Sequence, residues 1–464
     1  MAQYRAIFKN AYFKGLTSAL VLTAGLAAGQ AQAYDFNDAH TTLHDYVIDS
    51  TGNHWTGPDS GSNGNSTVTT TYSGAAQYAN TIILNNGGTL TSESETYAGK
   101  ENLYVNSITV NDGGKIELTG ANASGGGIQG FKSADGSGSA TSGSLTVNAG
   151  GEVSVTKSQI QMGDISINGE GATVTVGGNI GAGDPSSSTP LGAKGAETLI
   201  GTAESPWKDN AGIYGGNSLS ISNGAIANIN AGGQIGGLNV TVSNATVNLA
   251  GTSGLDGTNG ALLMAAAGTT SGASLSLTGA TVNVQGDDED VNYTGHLLIN
   301  LGTDKAASLS STNTTFTIGA GNNLLIGVAP KADGSATDIG TNSGGATVAL
   351  NTGTIINNDG TVKLTAVSNA DFTNEKKRVN TTLANGATIN NSTADSAFVI
   401  EAGNLFVING GVINNSGLID IQSGAVASAE EQASNNPDGT VITDGVTTLS
   451  GSINVGGILK VISG

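Results

Sequence analysis

The sequence contains no cysteine, which excludes disulfide stapling, thiol nucleophiles and cysteine metal sites. Charge is scarce: Asp, Glu, Lys and Arg make up 11% of 464 residues, and aromatics only 4%. The charge that is present runs to one sign, with 36 acidic residues against 16 basic ones. Phosphate backbones and anionic lipids are held by basic surfaces, so nucleic-acid and anionic-membrane binding are disfavoured. The catalytic signatures GK[ST], G-x-S-x-G and H-E-x-x-H do not occur. Helix is not expected to dominate, because Gly, Asn, Thr and Ser form helices poorly while Val, Ile and Thr favour strands.

What is abundant is glycine, 72 residues, alongside 37% apolar content. The chain is organised around Ser144 to Val155, SLTVNAGGEVSV, in which two alternating runs flank Asn148-Ala149-Gly150-Gly151. The plan recurs in Ile82 to Leu90 (IILNNGGTL), Ser107 to Leu118 (SITVNDGGKIEL) and Ile226 to Ile235 (IANINAGGQI). Apolar residues keep one parity across the corner, as in Leu145, Val147, Val153 and Val155, which predicts strands with one buried face. The glycine pair is expected to supply positive φ for a sharp corner.

Looser copies fill the remainder: Val240 to Gly251 (VTVSNATVNLAG), Leu275 to Gly286 (LSLTGATVNVQG), Thr382 to Asn391, Leu405 to Asn415 and Ile453 to Val461. Self-similarity on this scale predicts an all-β parallel stack, a solenoid. At about 20 to 25 residues per coil, residues 34–464 would form about 17 to 21 coils. With strands stacked ~4.8 Å apart, such a body would be about 80 to 100 Å long. The rival is a series of antiparallel hairpins, signalled by Asn86-Gly87 and Asp112-Gly113. Corners of constant form separated by intervals of varying length favour the parallel stack.

Residues 1–33 read as a signal peptide. Arg5, Lys9 and Lys14 precede an apolar run from Leu16 to Ala28 and the small-residue site Ala31-Gln32-Ala33, predicting cleavage before Tyr34. The apolar run is too short and glycine-broken to span a membrane, and no later stretch reaches the ~18 apolar residues of a transmembrane helix. Residues 34–79 read as an N-terminal cap or a ligand-binding head, being rich in aromatics (Tyr34, Phe36, Tyr46, Trp55, Tyr72, Tyr78). Residues 80–464 form the repeat region, with insertions at 183–216, 287–295, 367–381 and 427–439; Pro185, Pro190 and Pro206 keep the first out of central strands. Leu262 to Ala267 (LLMAAA) fits a helical turn or a buried strand.

Candidate chemistry is sparse. Gly125 to Gly130 satisfies G-x-G-x-x-G, but the residues that follow do not open a helix. His40 and His44, with Asp38, Asp45 and His54 nearby, would share a helical face able to hold a metal, against the plainer reading of solvated side chains. Asp287-Asp288-Glu289-Asp290 could collect calcium, yet a lone acidic run reads as a solvated loop tip, as does Lys376-Lys377-Arg378 for the basic sign. Glu93, Glu95, Glu117 and Glu152 are candidate catalytic carboxylates only if the fold stacks them at acid–base separation. No catalytic, metal-binding or cofactor-binding residue is assigned, and no cofactor is expected.

Behind a signal peptide, degenerate repeats such as SLTVNAGGEVSV, SITVNDGGKIEL and VTVSNATVNLAG resemble the passenger region of Gram-negative autotransporters and related haemagglutinin-type adhesins. The resemblance implies a right-handed parallel β-helix at the cell surface or released from it, and absence of cysteine suits a chain that crosses the outer membrane unfolded. Such proteins end in a membrane β-barrel, which this sequence does not supply; Gly457 to Gly464 read as mid-coil. The expected function is therefore a non-enzymatic adhesin-like passenger. Its partners would be a host-surface protein or glycan, and a translocator barrel outside this chain. The alternatives are a β-helical polysaccharide lyase or hydrolase and a self-associating surface-layer protein.

Overall fold

The computed structural model describes residues 43, 45–50, 52–56, 68–70, 77–94, 102–120, 127–132, 137–138, 142–178, 211–252, 260–266, 272–286, 291–300, 305–328, 345–367, 370–371, 374–430, 448–449, 452–455 and 458–462. Their regular structure is strand, apart from a single 3-10 turn at Glu375–Lys377. The fold is all-β, built from two large sheets.

Ser144–Val147 and Glu152–Thr156 flank the central corner without pairing to each other. Leu145 lies between Ile108 and Ile165, and Val153 between Ile116 and Val174, all in parallel register. The hairpin alternative is thus overturned: the described strands pair in parallel except Asp45–Asp49 with Gly52–Thr56 and Phe131–Lys132 with Ser137–Gly138. Each lap of chain has three legs. Gln159–Asn168 bends where its register shifts between Met162 and Asp164, giving legs 159–162 and 164–168, and Thr173–Gly177 makes the third. Three parallel ladders result, the first two belonging to one sheet and the third to the other.

The corner between the second and third legs explains its own sequence. Asn111 Nδ2 donates to Asn85 Oδ1 at 2.8 Å and Asn148 Nδ2 to Asn111 Oδ1 at 2.7 Å, so the Asn is a rail running from lap to lap. The first glycine takes positive φ (Gly87 +80°, Gly113 +68°, Gly150 +74°). The second does not; a Cβ on Gly88 would stand 2.1 Å from the Ile48 carbonyl oxygen, and on Gly114 2.5 Å from that of Leu84. Only one glycine is needed for conformation, and the other for close approach to the neighbouring lap.

Inward side chains form continuous columns in one apolar core. Along the third ladder one column runs Leu118, Val155, Val176, Ile229, Leu249, Val284, Ile318 and then changes to Asn358, Asn391 and Asn415, all buried. The buried amides satisfy one another: Asn358 Nδ2 donates to Asn391 Oδ1 at 2.8 Å and Asn391 Nδ2 to Asn415 Oδ1 at 2.6 Å. Spare donors reach the carbonyls of Ala397, Leu418 and Gly417. Burying amides is tolerable on these terms, because a polar group inside costs heavily only when unpaired.

Several boundaries differ from expectation. The strand pattern begins at Asp45–Asp49, which pairs with Gln77–Leu84, so it starts inside the segment 34–79. The insertion 183–216 ends by residue 210, since Ala211–Ser222 is a strand. Likewise Thr294–Asn300, Val379–Ala384 and Val426–Glu430 take strand residues from the segments 287–295, 367–381 and 427–439. Residues 212–216 and 294–299 hid because both of their faces are buried, which erases period two; Val379–Ala384 keeps alternate burial but puts the polar Thr381 on its inward face. Leu262 to Ala266 is a strand buried on both faces.

The second ladder carries fourteen described strands, from Asp45–Asp49 to Ile458–Ile462, fewer than the 17 to 21 coils expected. Loops lengthen the laps: stacked partners lie 20 residues apart at Asn228 and Asn248 but 54 apart at Asp164 and Ser218. Residues 1–33, His40, His44, 183–210, 287–290 and 431–439 lie outside the described residues.

Candidate functional site

A cavity of about 560 Å³ opens beside the third ladder, where its strands end and the chain turns back toward the first. One wall is a column of outward side chains. Thr175, Asn228, Asn248 and Asn283 occupy the same position on successive strands. Asn248 Nδ2 donates to Asn228 Oδ1 at 2.8 Å, and Asn283 Nδ2 to Asn248 Oδ1 at 3.0 Å. An amide has two N–H donors and two acceptor lone pairs, so Asn248 keeps one of each after serving the ladder. Thr175, Asn228 and Asn248 line the cavity, and Asn283 continues the column beyond it.

At the ladder's end, Asn230 and Ala250 are register partners and both line the cavity with Ala231. Asn230 belongs to the fourth copy of the Asn-x-Gly-Gly corner, yet this copy turns the chain from the third leg to the first. Gly232 again takes positive φ, +71°, and a Cβ on Gly233 would meet the Val176 carbonyl oxygen at 2.5 Å. Unlike Asn111 and Asn148, Asn230 is exposed.

The other wall is Gln285, Gly286 and Tyr293. The Tyr293 ring lies on Gly286, where a Cβ would stand 2.1 Å from Cζ and 2.5 Å from the hydroxyl oxygen. Asn322 fixes this segment, accepting from the Tyr293 backbone N–H at 2.8 Å and donating to the Val284 carbonyl at 2.8 Å. Among the described residues, the lining contains no Asp, Glu, Lys, Arg or His. The repeated Ala-Thr-Val-Asn in two copies signalled the Asn column, but nothing in the sequence placed Tyr293 over Gly286.

A second polar group lies on the outer side of the first ladder. There Tyr214, Leu262, Met264, Ala266 and Leu298 form a small cluster separate from the main core. Tyr214 is fully buried, its hydroxyl over Gly212 and without a hydrogen-bond partner. Gln234, register partner of Gly212, is buried with neither amide atom paired. Burial pushes the Tyr214 phenol well above its ordinary range, since nothing there would stabilise a phenolate. Tyr78, stacked on Tyr104 with centroids 5.3 Å apart, is raised as well, by burial first and then by Tyr104.

The residues singled out by sequence do not assemble into one centre. Residues 127–130 of the G-x-G-x-x-G stretch lie in the strand Gly127–Lys132, so no helix N-terminus follows to receive a phosphate. Lys376 and Lys377 sit in the 3-10 turn, and Arg378 Nε donates to Asn380 Oδ1 at 2.6 Å. Asp45 accepts from Asn80 Nδ2 at 2.7 Å, so it serves a ladder. His54 lies on the strand that pairs antiparallel with Asp45–Asp49, and Glu93 on Thr89–Ser94. Glu117 and Glu152 do come together. Cross-strand register puts both carboxylates on Lys115 Nζ, at 3.7 and 3.8 Å, with side chains half exposed. Such a solvated triad stabilises little.

No protein-family model matches this chain, and no curated protein does. Among solved structures the chain is similar to the crystal structure of a TibC-catalyzed hyper-glycosylated TibA fragment. The identity is 14%, covering 90% of this chain and 95% of that chain, with a TM-score of 0.23. At that score the likeness bears on neither fold nor function. Among the described residues no helix is long and apolar enough to cross a membrane, and no group of three or more His, Cys, Asp or Glu is placed to hold a metal ion.

Proposed function

We propose that the three ladders are the faces of one right-handed parallel β-helix, exported and displayed as an adhesin-like passenger that binds other surfaces and performs no catalysis. The observation that carries this reading is the pairing itself. Successive legs join three parallel ladders in turn, and their inward columns share one core. Such a stack gains length without a central chamber.

The outer surface supports the binding role. Its columns at Asn85–Asn111–Asn148, Asn228–Asn248–Asn283 and Asn357–Asn390–Asn414 are neutral and hold one another by hydrogen bonds. A hydrolase would need two carboxylates on opposite sides of a bound bond. Glu117 and Glu152 instead converge on one lysine.

The test has two parts. Protease treatment of intact cells making the full chain should remove it; a protected, internal chain would overturn display. The purified chain should adhere to host-cell surfaces and leave a polysaccharide panel uncut. Released reducing ends or unsaturated products would overturn the non-enzymatic assignment.

A further inference from the structure

We propose that the cavity between the Asn228–Asn248 column and Tyr293 is a binding site for a neutral oligosaccharide. The inference rests on the adhesin-like reading for its biological use, but its chemistry stands on the cavity alone. At about 560 Å³ the space falls within the range of small-ligand clefts, ~300–1,000 Å³. Among the described residues, its polar lining consists of amides, a threonine hydroxyl and a tyrosine, with no carboxylate, amine or imidazole. Phosphate, sulfate, uronate and sialate groups would enter without a cation to meet them. The excess of 36 acidic over 16 basic residues adds repulsion for any anion.

Hydroxyl groups fit instead. Each sugar hydroxyl both donates and accepts, and Asn248 keeps one free donor and one free acceptor beyond its ladder bonds. Adjacent strands repeat this offer about every 4.8 Å. The column is rigid, being tied from lap to lap, so little side-chain entropy is lost when a ligand binds. Asn230 adds an exposed amide at the ladder's end, whereas Asn85, Asn111 and Asn148 of the other corner copies bond to one another in a rail. Tyr293 supplies the apolar boundary against which ring C–H groups pack, and its position depends on the bare Gly286.

The test is calorimetric titration of the full chain with neutral oligosaccharides (β-glucan, galactan and mannan fragments) and with sulfated and uronic ones. A neutral member should bind, and the anionic set should not. Asn248→Asp, which keeps shape but adds charge, and Asn230→Leu should each weaken binding about tenfold or more. Gly286→Ala, which displaces Tyr293, should weaken it as well. Asn106→Asp, the same change in an Asn pair outside the binding columns and the cavity, should leave affinity unaltered and reports any general damage. No binding across the neutral set, preference for anionic sugars, or equal affinity in Asn248→Asp would overturn the site. Host-surface adhesion by the same variants separates the two readings. Adhesion by a chain that binds no neutral saccharide removes the site and spares the adhesin, whereas saccharide binding by a chain that adheres to nothing does the reverse.

Discussion

At a corner of this fold the choice between glycine and asparagine is made by one dihedral angle. Asn244, Gly279 and Asn313 occupy equivalent corners on successive laps, with φ of +49°, +62° and +49°. Asn tolerates that region because its short side chain bonds locally, whereas a β-branched residue does not. A Cβ on Gly279 would also crowd the Asn244 side-chain oxygen, which can swing aside, so Gly279→Asn should cost about 0.5–1 kcal/mol and Gly279→Val about 2–3 kcal/mol, read from urea midpoints. Gly88 obeys a different constraint, the Ile48 carbonyl at 2.1 Å from a Cβ. Backbone must move there, so Gly88→Ala should cost about 2–3 kcal/mol and Gly88→Asn no less. The Asn-x-Gly-Gly motif was legible as a corner, but the separate duties of its two glycines were not. Steric contact with the adjacent lap depends on stacking register, which no single copy encodes.

Among elements, the strands around Leu145, Val153, Ile108 and Ile116 were legible because one of their faces is wet and period two survives. Residues 212–216 and Ala261–Ala266 were not, because both of their faces are covered and the pattern collapses into a run. The motifs Ile-Ile-Asn-Asn, Thr-Ile-Asn-Asn and Val-Ile-Asn-Asn make two ladders at once: Asn357, Asn390 and Asn414 face outward while Asn358, Asn391 and Asn415 lie inside. Asn391→Leu strands its buried neighbours and should cost about 2–4 kcal/mol; Asn390→Ala, on the wet side, should cost less than about 1 kcal/mol. Denaturant titration of both variants checks the difference.

Tyr214 gives a pH signature on the same scale. Its folded-state phenol is raised above the ordinary value near 10, so the fold binds a proton that the unfolded chain releases. The associated stability is complete below pH ~10 and falls as pH rises beyond it. Tyr214→Phe should abolish this part of the alkaline loss. It should also leave neutral-pH stability unchanged or higher by about 1 kcal/mol, because the hydroxyl it removes is buried without a partner.

For the whole molecule, fourteen stacked strands imply thirteen steps, a body about 60 Å long at ~4.8 Å per step, shorter than the sequence alone suggested. Small-angle scattering from the purified chain should show an elongated cross-section-limited particle; a compact sphere would remove the β-helix proposal. The sequence exposed the parallel pairing but not the strand count, since stacked partners as unequally spaced as 20 and 54 residues sit on neighbouring strands.

Unequal laps on a uniform pitch carry an evolutionary corollary. Ser144 stands directly over Ser107 and directly under Asp164, so excising residues 144–163 fuses two edges that already match in phase. Every column would close over the gap by one storey, with inner and outer faces preserved. A chain with that deletion should fold cooperatively, while one shortened by a single residue more should not. Gene-level gain or loss of whole storeys is then a permitted route by which such a molecule changes its reach.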